Sequence, residues 1–172
     1  MAVRSIIRFP NPLLVAVAEP IQLFDNELSS LADDLIDTMH AAPGIGITAP
    51  HIGILNRLVV IQLPSAAKPG IYVNPSVIQA SPEMIRQTEG SVSMPGVTEE
   101  IERHARVRVR YQDLDGNERF EDADGLLAVC HQHEIDQLDG LFWTHRLSRL
   151  RRDRLIKRYD KLMRPSWPDV RR

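Results

Sequence analysis

The residues best suited to chemistry in this chain are His133, Glu134, Ile135, Asp136 and Gln137. On a helix, side chains four apart share a face. A histidine at each end of an H-E-x-x-H segment can therefore grip one metal ion, while the glutamate between them handles protons. Here the second end carries Gln137, whose amide is a poor ligand for zinc or iron. The segment is laid out for metal chemistry with one gripping group exchanged.

Such residues need a frame to position them. A stripe of Leu28, Leu31, Leu35 and Met39 predicts a first helix over residues 25–41, capped by Asp25 or Asn26 and stopped at Pro43-Gly44. Residues 55–63 and 70–77, rich in Val and Ile, read as strands. Residues 106–111 alternate charged and apolar side chains, as a half-exposed strand should, and Asp115-Gly116 turns them into 118–123 as a hairpin. The helix holding the signature is expected to start at Asp124 as its cap and run to about 138, with Gly140 as its stop. A last helix covers 148–163, ended by Pro165 and Pro168. Helix, strands, then two helices make an α+β class.

At 172 residues, 43% hydrophobic and 26% charged, the chain suits one domain able to bury a core unaided. The expected division is a core over 10–147, a basic C-terminal helix over 148–164 and a tail over 165–172. No apolar run approaches membrane-spanning length, and residues 1–12 lack the long apolar stretch of a signal peptide, so no membrane partner is expected. The single Cys130 excludes an intramolecular disulfide, and the cytoplasm is the expected location. The net charge of −2 conceals a polarity. From Thr144 onward eleven Lys or Arg stand against three acids, a net of +8, which leaves −10 on the rest. A basic tail on an acidic body suits a polyanion such as RNA, although a charge run by itself is more often a solvated helix face.

Three segments, taken in order, resemble the peptide deformylase family. Gly44-Ile45-Gly46-Ile47-Thr48-Ala49-Pro50-His51 is similar to its first motif, G-φ-G-φ-A-A-x-Q. Glu89-Gly90-Ser91-Val92-Ser93 is similar to its second, E-G-C-L-S, and Gln132 to Leu138 to its third, Q-H-E-x-D-H-L. The similarity runs from about Pro10 to Leu162. It implies a deformylase-type α+β fold, with antiparallel sheets packed around the signature helix. It also implies hydrolysis of the formyl group from N-formylmethionyl peptides by Fe2+ or Zn2+. In the family that ion is held by the second-motif cysteine and both third-motif histidines, and a basic C-terminal helix docks on the ribosome.

Carried over position by position, the resemblance breaks at the reacting centre. Ser91 stands at the cysteine ligand, Gln137 at the second histidine and His51 at the oxyanion glutamine. His133 is the sole remaining ligand, and Glu134 keeps the proton-handling position. Val92 keeps the backbone oxyanion donor, Ile45 and Gly46 the substrate-facing run, and Val129 and Cys130 the methionine pocket. A zinc site contributes about 10 to 16 kcal/mol, so losing two of its ligands costs about 6 kcal/mol, on the order of four decades in affinity. The expectation is a catalytically impaired family member without a tightly bound metal.

Its expected partners are peptide N termini, formyl-methionyl or methionyl, and, through the basic helix, ribosomal RNA. The alternatives are an active divergent hydrolase with Fe2+ or Zn2+ at a weakened site, His51 and His133 sharing zinc with an oxygen of Ser91 or Gln137, and a Ser91–His133 nucleophile–base pair. Plainer readings make His133 a hydrogen-bonded core histidine, Ser91 a loop hydroxyl bonded to backbone, and Glu134 an acceptor for backbone donors around Glu89.

Overall fold

The structure is a computed structural model and describes residues 2–164. The tail over 165–172, with the expected stops at Pro165 and Pro168, lies outside the described residues. The elements are α1 (Asn26–Ala41), β1 (Gly46–Thr48), β2 (Leu58–Ile61), β3 (Gly70–Ala80), β4 (Met84–Ser91), β5 (Met94–His104), β6 (Arg106–Gln112), β7 (Glu118–Asp124), α2 (Gly125–Leu138) and α3 (Arg149–Met163). Five strands form one antiparallel sheet in the order β1-β2-β3-β6-β7, and β4 and β5 pair as a separate ribbon. Helix α2 touches all seven strands. An α+β architecture of antiparallel sheets around the signature helix is what results.

Local chemistry sets the element ends. The Asp25 carboxylate accepts the N–H groups of Glu27 and Leu28, both at 3.0 Å, satisfying two donors that α1 leaves open. Leu28, Leu35 and Met39 bury the predicted stripe against β1, β2 and β3 through Ile47, Leu58, Val60 and Val73. Strand β6 buries Val107 and Val109 and exposes its arginines, as its alternation requires. Asp124 does sit at the cap of α2, but its side chain makes no capping bond. Gly140 has φ +77°, and a Cβ there would lie 2.8 Å from the Val15 carbonyl oxygen, so the stop after α2 needs glycine.

Residues 81–104 carry no strand prediction, yet β4 and β5 pair from Met84↔His104 to Ser91↔Met94. The reason is exposure. Along β4 only Glu89 is buried, so the strand shows no apolar face to read. The ribbon is secured from outside by α3, whose Leu155 and Tyr159 join Met94, Val97, Phe142 and Trp143 in one cluster. Burying each such side chain contributes about 1.5 to 3 kcal/mol. No described helix is long and apolar enough to cross a membrane.

Candidate functional site

A cavity of about 590 Å³ opens between the 42–46 segment, the end of β4 and α2. Ile45, Val92, Pro95, Leu126, Val129 and Cys130 give it apolar walls, and His51, His133 and Glu134 reach it as polar groups. The three motifs thus converge on one place. Of the residues named from sequence, Ile45, Gly46, His51, Ser91, Val92, Val129, Cys130, His133 and Glu134 all line it. Gln137 does not.

Helix α2 is unusual in burying ten of its fourteen residues, polar ones included, so each polar side chain needs a partner. His133 Nδ1 lies 2.8 Å from Glu89 Oε2. Glu89 in turn accepts two bonds from the Arg103 guanidinium, Nε to Oε1 at 2.8 Å and Nη2 to Oε2 at 2.9 Å. The remaining Arg103 nitrogen, Nη1, donates to Asp136, which Arg146 grips from outside at 2.5 and 2.8 Å. Burial by itself would raise the Glu89 carboxyl, but Arg103 and His133 hold it down at about 2. Burial disfavours the His133 cation, yet Glu89 outweighs this and raises its pKa. Arg103 is 2% exposed and ties β5 to β4 and α2. The sequence reading missed it, because its partners lie 14 and 33 positions away. Its only sequence signal was a place in phase with Ile101 on an alternating stretch.

Glu134 is 5% exposed, and its Oε2 is buried without a hydrogen-bond partner among the described residues. It is therefore not spent on backbone donors near Glu89, contrary to the plainer reading. Burial pushes its carboxyl up to about 7, with the Glu89 charge adding and the His133 charge opposing. A Cβ at Gly46 would meet this carboxyl, its Cδ at 3.1 Å and an oxygen nearer still, so glycine on β1 is what lets Glu134 reach the cavity.

His51 sits on a single helical turn, Ala49–Ile52, directly after β1. The Thr48 N–H donates to its Nδ1 at 3.0 Å, and the Thr48 hydroxyl lies 2.8 Å from the same nitrogen. Nδ1 is therefore an acceptor and the ring proton belongs on Nε2. That Nε2 is buried and unpartnered among the described residues. Burial, then the nearby His133 charge, pushes its pKa down to about 3, so the ring stays neutral.

The donors at the family's ligand positions do not fit zinc or iron. Gln137, 1% exposed, donates its amide to the Leu14 carbonyl at 2.6 Å. Ser91 Oγ accepts the Ser93 N–H at 3.1 Å, as the plainer reading expected, though at a strand end rather than in a loop. An alcohol also stays un-ionised where a metal-bound thiol would not. Burial pushes the Cys130 thiol up to about 12, so it supplies no thiolate in exchange. Among the described residues no three His, Cys, Asp or Glu side chains are grouped to hold an ion, which leaves His51 and His133 without a carboxylate or thiolate third ligand. No hydrogen bond among the described residues joins Ser91 to His133; Ser91 pairs with the Ser93 N–H and His133 with Glu89.

The other histidines fall elsewhere. His131 is buried against Glu121 at 2.7 Å, His40 ends α1 beside Gln62, and His145 is exposed. His104 is half-buried and bonded to the Ser81 carbonyl at 2.7 Å. Arg8, also unforeseen, donates to the Val92 carbonyl at the cavity mouth at 2.5 Å.

Comparison with known proteins agrees with this geometry. A model of the polypeptide deformylase family matches residues 3–153. A "peptide deformylase-like" protein of Brucella melitensis is 68% identical over 164 residues, covering 95% of this chain and 100% of its own. A protein of Phenylobacterium zucineum named peptide deformylase is 43% identical over 164 residues, covering 94% of this chain and 97% of its own. The crystal structure of peptide deformylase from Ehrlichia chaffeensis superposes with a TM-score of 0.88 at 34% identity, covering 94% and 97% of the two chains. Motifs, fold and relatives point one way, and the chain belongs to the polypeptide deformylase family.

Proposed function

We propose that this chain is a deformylase-like protein that engages peptide N termini in its cavity and has lost most or all metal-dependent deformylation. One observation carries the reading: Gln137, where the family places a histidine ligand, turns its amide to Leu14 and takes no part in the cavity. With an alcohol at Ser91 as well, His133 offers the only strong transition-metal donor at the three ligand positions. No cofactor is then held tightly. The apolar walls, including Val129 and Cys130, persist and suit a methionine side chain. A cytoplasmic location and ribosome contact through exposed basic residues of α3 belong to the same reading.

A second reading, an active divergent hydrolase using Fe2+ or Zn2+, is favoured by Glu134. A buried carboxyl near 7 at a cavity is well matched to acid–base work. Two measurements on one preparation separate the readings: metal per chain after growth with iron or zinc, and turnover of a formyl-methionyl peptide. The proposal expects well under one metal per chain and turnover near background. Stoichiometric, chelator-sensitive metal with turnover abolished by Glu134→Gln would overturn it in favour of the second.

A further inference from the structure

Two polar atoms in the cavity wall have no hydrogen-bond partner among the described residues, and they are of opposite kinds. Glu134 Oε2 is an acceptor, and His51 Nε2 carries a proton because Nδ1 accepts from Thr48. Both residues are more than nine-tenths buried, and both line the same cavity. A buried donor or acceptor left unpaired is costly, so a cavity that holds one of each selects a ligand that supplies the complements. Among the described residues no cation makes a hydrogen bond to Glu134, and the nearest, His133, turns its Nδ1 to Glu89. Arg103 is spent on Glu89 and Asp136, and Arg8 stands exposed at the mouth, donating to the Val92 carbonyl.

We propose that the cavity selects the free α-ammonium of a methionyl peptide over its N-formylated form, with Glu134 receiving the ammonium and His51 Nε2 donating to a main-chain carbonyl of the ligand. The inference rests on the peptide-terminus reading above and refines it. An unblocked terminus brings the positive charge and several N–H donors that Glu134 lacks, and the adjoining peptide carbonyl is the acceptor that His51 lacks. A formylated terminus brings one neutral N–H, leaves the carboxylate without a directly bonded cation, and offers its formyl oxygen to a position whose polarising ligand set is gone. The substitutions at Ser91 and Gln137 therefore turn the cavity from one that receives the blocked terminus into one that receives the unblocked terminus.

The test is calorimetric titration of the full-length protein with Met-Gly-Ser amide and with its N-formyl and N-acetyl derivatives. The free-amine peptide is expected to bind about tenfold or more tightly than either blocked one, the yield of one charge-assisted contact. Glu134→Gln, which keeps the side-chain shape, should bring the three within about threefold of each other. Equal or tighter binding of the formylated peptide by the wild-type protein overturns this inference while leaving the peptide-terminus reading in place. Binding of none of the three overturns that reading, and this one with it.

Discussion

Gln137 and Leu14 stand 123 positions apart in sequence and meet through a 2.6 Å hydrogen bond from side-chain amide to backbone carbonyl in a fully buried setting. This contact ties α2 to the segment that precedes α1, next to the cluster containing Phe142 and Trp143. The residue at the position where the family places a histidine ligand is here part of the packing.

Replacing Gln137 with Leu should therefore lower stability, by about 1 to 3 kcal/mol, because the Leu14 carbonyl is left buried and unpaired. Urea midpoints read the loss. No change, or a gain, would mean that the bond does not hold the helix in place.

Restoring the family's donors at all three changed positions, Ser91→Cys, Gln137→His and His51→Gln together, is expected to return chelator-sensitive zinc or iron binding near one ion per chain. The remaining ligand is already held for this, with Glu89 orienting His133 at 2.8 Å. A triple variant that folds yet takes up no metal would show that the ligand positions themselves have drifted apart.

Arg103→Met should be more damaging than Gln137→Leu, at about 3 to 5 kcal/mol, since it removes both guanidinium bonds from buried Glu89 and leaves Asp136 to Arg146 alone. Adding Glu89→Gln to that variant should recover part of the loss. A mild effect of the single change would show that water reaches the network.

Stability against pH has a sign that His51 and Glu134 share in opposite senses. For His51 the folded pKa is depressed to about 3 from 6.5, so below 6.5 the unfolded chain binds the extra proton and stability falls as pH drops. For Glu134 the folded pKa is raised to about 7 from 4.5, so above 4.5 the folded chain binds the extra proton and stability falls as pH rises toward 7. Between pH 4.5 and 6.5 the two contributions offset, and the wild-type profile should be nearly flat there. His51→Gln unmasks a decline with rising pH, and Glu134→Gln a decline with falling pH, each up to about 1.4 kcal/mol per pH unit. Denaturant midpoints across that window would show parallel profiles in all three proteins if the pair did not titrate in this way.

The fold was legible wherever a face is buried. The α1 stripe, the β6 alternation and the Asp115-Gly116 hairpin all stand where periodicity places them. The ribbon of β4 and β5 was hidden because its outer strand has almost no buried side. Within the site, the resemblance of three segments to the family's motifs named the lining residues, which the fold brings to one cavity. Arg103, Arg8 and the Leu14 bond were invisible, because each joins elements whose adjacency only tertiary structure creates.

Helix α3 calls for surface charge changes rather than truncation. Removing everything after Leu147 would also remove Leu155 and Tyr159 from a shared core cluster, confusing binding with folding. Arg154, Lys157 and Lys161 are exposed. Changing all three to Glu should leave stability within about 0.5 kcal/mol. The same change should abolish salt-sensitive association with ribosomes in sedimentation. Undiminished association would move the contact elsewhere or remove it.

The arginine clasp at the heart of the molecule also bears on which substitutions such a chain can survive. Glu89, Arg103 and Asp136 guard one another, since changing any one abandons charge in oil. Positions 91 and 137 answer to neutral neighbours only, so a change there breaks a single neutral hydrogen bond and strands no charge. A protein built this way can exchange residues at 91 and 137 while the clasp keeps both its shape and its hollow.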